Sequence, residues 1–402
     1  MVHVALTLVL RFADVGVATY VSLRVVGEPS RTVTWVVEEP ALVSTLGQLT
    51  SALPDTQGTE TQRDAVERAV SSGPFAEPDT ERAVARALGE KLIAADAWRL
   101  LTECATSPRA TLFVSPSARL ARVPWSLVAQ PGDSDDRLID LVDVLMAAPP
   151  NIVHAPRASV GWDERRDAPR LLVVDPRVPG QRPDSALGSV LGRPSAETPL
   201  ARHLAELMAR QPVLPPVNAA VELFRRTDAD RLWLADLLAE APSRLLYIGH
   251  ATAADGDVGH AARSALHLAD PHPLSAADLI AMRLPMPPRV AMLACASGAD
   301  YRFDEATGLV AAMILGGAQL VTATLWSLPT AAGYRQFAPG AGDFDPMADA
   351  IIAVDRAHEA PDAGRELNRW QRERIGQWRD GDPQATPLYW AALVSFAVDG
   401  AR

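Results

Sequence analysis

The chain has 402 residues, 48% of them hydrophobic, enough apolar mass for one large or two medium domains without disulfide or metal staples. Its formal net charge is −11, and Lys91 is the only lysine among 38 basic residues, with no basic stripe of the kind that binds nucleic acid directly. Two cysteines, Cys104 and Cys295, exclude a disulfide framework and point to a reducing, cytoplasmic compartment in which any thiol chemistry is catalytic.

Residues 2–11, 16–26 and 32–38 alternate apolar and polar positions with β-branched residues such as Val33, Thr34 and Val36, which predicts three strands in a meander. The opening "MVHVALTLVLRF" lacks a basic leader and reaches Arg11 too soon for a signal peptide. Val84, Leu88, Leu92 and Ile93 recur at helical spacing behind Pro78-Asp79, predicting one helix that ends near Cys104, itself a core thiol on that helix. A strand "ATLFVSP", a short "ARVPWSLV" segment and a second apolar piece through Met146 follow.

From residue 169 onward strands and helices alternate, which predicts a parallel sheet covered on both faces. The series is "RLLVVDP" as strand, a helix over 200–209, "VNAAVELF" as strand, a helix over 230–239 and "RLLYIGH" as strand. Next come a small hairpin in "SALHLAD", a helix "SAADLIAMR", a strand "RVAMLACA", a helix over 305–315 and a strand "AQLVTATLW". Helices over 346–359 and 363–379 and a strand "LYWAALVSFAV" close the series. The Pro/Gly-rich stretch between Asp175 and Pro199 is long enough for a lid or a cleavable segment. The apolar run Gly308–Trp326 has the length of a membrane span, but Gly316-Gly317 splits it into a helix and a strand, so no membrane association is expected.

In a parallel sheet, ligands collect beyond the carboxyl ends of the strands. Two predicted strands end on reactive groups there: "RLLYIGH" on His250 and "RVAMLACA" on Cys295, 45 residues later. A thiol of ordinary pKa needs a base to become a nucleophile, and His250 would supply it. Acyl transfer also needs oxyanion donors, for which the backbone N–H groups of Cys295 and of the residue after His250, Ala251, are the natural pair. His260, His267 and His272 follow no zinc spacing, Ser297 lacks the leading glycine of a nucleophile elbow, and there is neither a Walker A nor a dinucleotide motif. Neither metal nor cofactor is therefore expected.

The segments "LLYIGHA", "SALHLADPHPLSAADLIAMRLPMPPRVAMLACASGAD" and "TGLVAAMILGGAQLVTATLWSLP" resemble the CHAT-domain family of caspase-like bacterial cysteine proteases. The likeness extends from "TLFVSPSARLARVPWSLV" to "TPLYWAALVSFAVDG", about residues 109–400. It implies a caspase-like α/β core, a mostly parallel sheet flanked by helices, over 166–402. Ahead of it stand a β-rich region (1–75), as a regulatory or partner-docking part, and a helix with strands (76–165). It also implies that Cys295 is the nucleophile and His250 the general base of an endopeptidase acting on one or few protein substrates. Such an enzyme would be switched on by an activating protein or ligand, in bacterial antiphage defence or programmed death.

Two departures from the family pattern stand out. Ala251 replaces the usual glycine after the histidine, which favours as alternative an impaired scaffold acting by protein binding. After Trp326 the chain reads Ser327-Leu328-Pro329-Thr330 where relatives carry acids, which implies an uncharged or apolar residue before the scissile bond. Asp255, Asp257, Asp300, Trp326 and Ser327 are the candidate substrate-pocket residues, with Asp304 and Glu305 nearby.

Overall fold

The computed structural model describes residues 5–132, 134–183, 185–252, 261–294, 308–338 and 342–398. They form two compact units, one from residues 1–147, 333–344 and 364–394, the other from residues 148–332, 345–363 and 395–402.

The first unit opens with a meander, β1 (Thr7–Val15), β2 (Ala18–Val25) and β3 (Glu28–Glu38), whose alternating burial follows the alternating sequence. Two helices unassigned by the sequence follow, α1 (Glu39–Ala52) and α2 (Gln62–Ser71). Arg68 ties them together, donating to the carbonyls of Ser51, Leu53 and Asp55 while paired with Glu60. The single helix expected up to Cys104 is two, α3 (Pro78–Leu92) and α4 (Ala95–Glu103). Ile93 and Ala94 between them are extended, and buried Ile93 caps α3 through its N–H while Ala94 starts α4. β4 (Thr111–Ser115) and β5 (Asp143–Ala147) extend the meander in parallel with β1, giving the order β3-β2-β1-β4-β5. Inside this unit, buried Arg137 grips buried Glu81 with two bonds of 2.5 and 2.8 Å, and Trp378 Nε1 donates to the same carboxylate.

In the second unit the expected alternation is present. β6 (Arg170–Val174), α5 (Pro199–Arg210), β7 (Val213–Leu214), α6 (Arg231–Ala239) and β8 (Arg244–Ile248) come first. A three-stranded sheet of β9 (Ala251–Thr252), β10 (Ala265–Leu266) and β11 (Leu274–Ser275) interrupts them. Then come α7 (Ala276–Met282), β12 (Arg289–Leu293), α8 (Leu309–Leu315), β13 (Leu320–Thr324) and α9 (Pro346–Ala357). Helix starts are set by side-chain caps: Thr198 for α5, Asp230 for α6, Ser275 with Asp278 for α7 and Asp345 for α9.

The large sheet of this unit runs β13-β12-β8-β6-β7, all parallel. Every residue of β6, β8, β12 and β13 is buried, the signature of strands covered on both faces. Each fully buried Leu or Ile there contributes about 1.5–3 kcal/mol. The strand expected at "VNAAVELF" is instead a turn of 3-10 helix at Ala220–Leu223. Pro215-Pro216 stop β7, and Glu222 reaches back to the Asn218 N–H to fold the run on itself. The closing segment likewise begins as a helical turn, Pro387–Trp390, before the strand Leu393–Ala397. Among the described residues no helix is long and apolar enough to cross a membrane, and Gly316-Gly317 do divide α8 from β13.

At the opening end of this sheet β6, β8 and β12 each begin with a buried arginine, Arg170, Arg244 and Arg289, in register. All three face the carboxyl end of α9. Arg244 pairs with buried Asp355 at 2.8 Å, and Arg170 with Glu359 at 2.7 Å. Arg289 donates to the carbonyls of His358, Ala360 and Pro361. Carbonyls at a helix end carry partial negative charge, so the row is placed where cations are favoured.

Candidate active site

The opposite end of the sheet carries the residues with chemistry. β8 ends at Ile248, which is paired with Leu293, the last residue of β12, and the two strands are parallel. His250 follows Ile248 by two positions, as Cys295 follows Leu293 in the sequence. Cys295 lies outside the described residues, as do Asp255, Asp257, Asp300, Asp304, Glu305, His260 and Ser297. The residue before it, Ala294, is buried, and its carbonyl accepts a hydrogen bond from the Thr324 hydroxyl.

His250 is held at both ends. Its carbonyl accepts from Tyr247 Oη at 2.7 Å and from the His267 N–H at 3.0 Å. Gly249 makes this possible, because a Cβ there would lie 2.8 Å from Tyr247 Oη and 3.3 Å from Pro176 Cδ. The imidazole Nε2 lies 3.0 Å from the Gly188 carbonyl oxygen. A carbonyl oxygen only accepts, so Nε2 carries the hydrogen and, in the neutral ring, Nδ1 keeps the lone pair. Burial pushes the His250 pKa below its usual value, against the Gly188 bond and nearby Asp175, which raise it, and with Arg225, which lowers it.

Ala251 occupies β9, a strand conformation open to any residue, so at this position no glycine is needed. The bond from His267 N–H to the His250 carbonyl flanks the Ala251–Leu266 pair. In an antiparallel ladder that makes the pair a non-hydrogen-bonded one, with the Ala251 N–H turned away from β10. His267 is buried, and its Nε2 meets Thr252 Oγ1 at 2.6 Å. Among the described residues no group of side chains has the composition of a metal site. Trp326 is fully buried and Ser327 half-buried.

What the sequence did not single out is the Gly188 carbonyl. It belongs to the Pro/Gly-rich stretch read as a lid or cleavable segment, and it reaches His250 from 62 residues earlier in the chain. A backbone acceptor leaves no mark of residue type, so only the glycine in a long loop could have hinted at it.

Among solved structures, two of the Saccharomyces cerevisiae separase–securin complex, at 3.0 and 2.6 Å, align with 98% of this chain at 10% identity, with TM-scores of 0.48 and 0.45. The chain spans about 30% of the length of those separase chains. The complex of the Porphyromonas gingivalis RgpB pro- and mature domains aligns with 90% of this chain and 77% of that one at 9% identity, with a TM-score of 0.39. No curated protein matches the chain in sequence. The family model of the CHAT domain matches residues 82–397, and the chain belongs to that family.

Proposed function

We propose that the chain is a caspase-like cysteine endopeptidase with Cys295 as nucleophile and His250 as general base. The observation that carries this reading is His250 at the exit of β8, its Nε2–H committed to Gly188 and Nδ1 left as the free base, beside the strand that leads into Cys295. His250 Nδ1 takes the thiol proton, and the Cys295 sulfur attacks the scissile carbonyl carbon, forming the S–C bond and sending the π pair to oxygen. The N–H groups of Ala251 and Cys295 hold that oxyanion. Collapse breaks the C–N bond, and the proton on Nδ1 passes to the leaving amine. Water, deprotonated by His250, then cleaves the thioester and restores the thiol.

The substrates in this reading are one or few proteins, cut after an uncharged or apolar residue. Activity is switched on by a protein or ligand in a defence or cell-death response, with Asp255, Asp257, Asp300 and Ser327 around the substrate; Trp326, fully buried, packs in the core and does not line the pocket. The test compares new protein termini in cells carrying the wild-type chain with cells carrying Cys295→Ala. A small set of termini found only with the wild type is expected. Identical sets under every condition that alters the cell's response would favour a scaffold acting through binding.

A further inference from the structure

The loop leaving β6 holds a carboxylate that the proposed chemistry does not use. Asp175 is 1% exposed and directly follows Val174, the last residue of β6, and its N–H donates to the Ile248 carbonyl at 2.7 Å. Its ion-pair partner is Arg225, whose own N–H bonds to the Val174 carbonyl. The two residues have φ of +47° and +54°, left-handed conformations that are unfavourable outside glycine. Such strain persists only where surrounding contacts impose it.

Those contacts converge on one carbonyl. The Asp175 carboxylate accepts from Ser189 Oγ at 2.6 Å, from the Val190 N–H at 3.2 Å and from Arg225 Nη1 at 3.3 Å. Arg225 Nη1 also donates, at 2.9 Å, to the Gly188 carbonyl, the same oxygen that accepts from His250 Nε2. Gly188 fits this turn because it has no side chain: a Cβ would lie 2.3 Å from the Pro183 carbonyl oxygen. A carbonyl on a loop this long would otherwise trade its bond to His250 for water. Held at Gly188 itself by Arg225 and at the next two residues by Asp175, it keeps that bond. The pairing also explains why the anchor is not a lone acid: Asp175 favours the imidazolium and Arg225 disfavours it, so together they hold the loop with opposing effects on the proton.

We infer that Asp175 and Arg225 are positioning residues which, acting through the Gly188 carbonyl, fix His250 in its Nε2–H tautomer with Nδ1 free; the inference deepens the peptidase reading and rests on it. Among the described residues neither has a hydrogen bond to the His250 ring, which bonds to the Gly188 carbonyl between them.

The test is a long-range proton–nitrogen spectrum of the full chain labelled with ¹⁵N-histidine, with His250 assigned by its loss in His250→Gln. The wild type is expected to show His250 as the Nε2–H tautomer. Arg225→Met and Asp175→Asn should show mixed tautomers and alkylate Cys295 with iodoacetamide about 100-fold more slowly, the cost of a misplaced catalytic group. Arg225→Lys should recover part of both. Ser189→Ala serves where the charge variants do not fold, since it removes only a hydroxyl shared between Asp175 and the Gly192 carbonyl and uncovers no charge, and it should show a detectable second tautomer. A wild-type Nδ1–H tautomer, or folded variants that keep a pure Nε2–H tautomer and the wild-type rate, would overturn the proposal. The tautomer is read without any substrate, so a chain that proves to have no peptidase activity sinks the enzyme reading and leaves this result to be judged separately.

Discussion

His250 Nε2 and the Gly188 carbonyl oxygen lie 3.0 Å apart, and that bond decides which nitrogen of the imidazole can act as a base. Burial, first among the influences on the ring, sets its pKa below the ordinary 6.5. A base works only when unprotonated, so the acid limb of kcat/KM should fall at a pH below 6.5. Asp175 raises the pKa and Arg225 lowers it, so Asp175→Asn should move the limb further down and Arg225→Met should move it up. His267, the other titratable ring against this strand exit, also has its pKa lowered by burial. A limb at or above 6.5 in the wild type would contradict the burial argument.

Gly249 and Tyr247 set the backbone of the same histidine. Gly249→Ala should cost about 1–3 kcal/mol as an overpacking change, because the new methyl meets the buried tyrosine and its neighbour Pro176. Tyr247→Phe removes the hydroxyl between the His250 and His267 carbonyls, and should cost about 1 kcal/mol, the size of one hydrogen bond. Denaturant melts check both numbers. If either variant loses activity while keeping wild-type stability, the turn acts on the position of His250 more than on the fold.

Away from the site, Arg244 and Asp355 are 2% and 0% exposed and bonded at 2.8 Å. Burial raises the Asp355 pKa, but Arg244 and His203 outweigh it and hold the carboxyl well below the carboxylate range. Arg244→Met or Asp355→Leu alone removes the main partner of a buried charge, leaving only His203 beside Asp355 or Glu359 beside Arg244, and should cost up to about 3–5 kcal/mol. The double variant should cost less than the two single changes together, since neither charge is then stranded. Strict additivity in a double-mutant cycle would mean the pair is not coupled.

His358 makes the same region sensitive to acid. It is 1% exposed, with Nε2 at 2.8 Å from Thr322 Oγ1, and burial together with Arg244 and Arg289 pushes its pKa down to about 3. The unfolded ring titrates near 6.5, so below that pH the unfolded chain takes a proton that the folded one refuses. Stability from this group is therefore complete above 6.5 and declines as pH falls from there toward 3. A His358→Gln chain should show a shallower loss of melting temperature between pH 7 and 5. Equal slopes would show that other groups dominate.

How far the sequence carried the fold and site depended on what kind of signal each part left. Val290 to Leu293 and Leu245 to Ile248 are continuous apolar runs, and runs of that kind identify strands buried on both faces. The place of His250 was legible because "RLLYI" reads as a buried strand and the histidine follows two positions beyond its end, where ligands gather in a parallel sheet. The row Arg170, Arg244 and Arg289 was written in "RLLVV", "RLLYI" and "RVAML", yet an arginine before an apolar run reads as an exposed strand start. Its burial comes from α9, which begins 57 residues beyond the last of the three. The turn at Ala220–Leu223 has strand composition and was overridden by two prolines and one glutamate contact. The Gly188 contact lay beyond reach because the acceptor is a peptide carbonyl, which no residue type signals.

The two cysteines should separate cleanly under a thiol reagent, because Cys104 is enclosed and the proposed reading gives Cys295 a base. Cys104 is fully buried, with Arg31 Nη2 at 3.0 Å from its sulfur. Burial pushes its pKa up, and the positive charge of Arg31 works in the opposite direction without prevailing. A thiol that is both enclosed and protonated reacts slowly. Iodoacetamide at neutral pH should therefore label Cys295 in the folded chain and leave Cys104 unmodified, while both label in denaturant. His250→Ala should slow the Cys295 reaction and leave Cys104 unchanged, since a base acts only on the thiol it serves. Equal labelling of both cysteines in the folded chain, or a Cys295 rate indifferent to His250, would sink the assignment of Cys295 as the activated nucleophile.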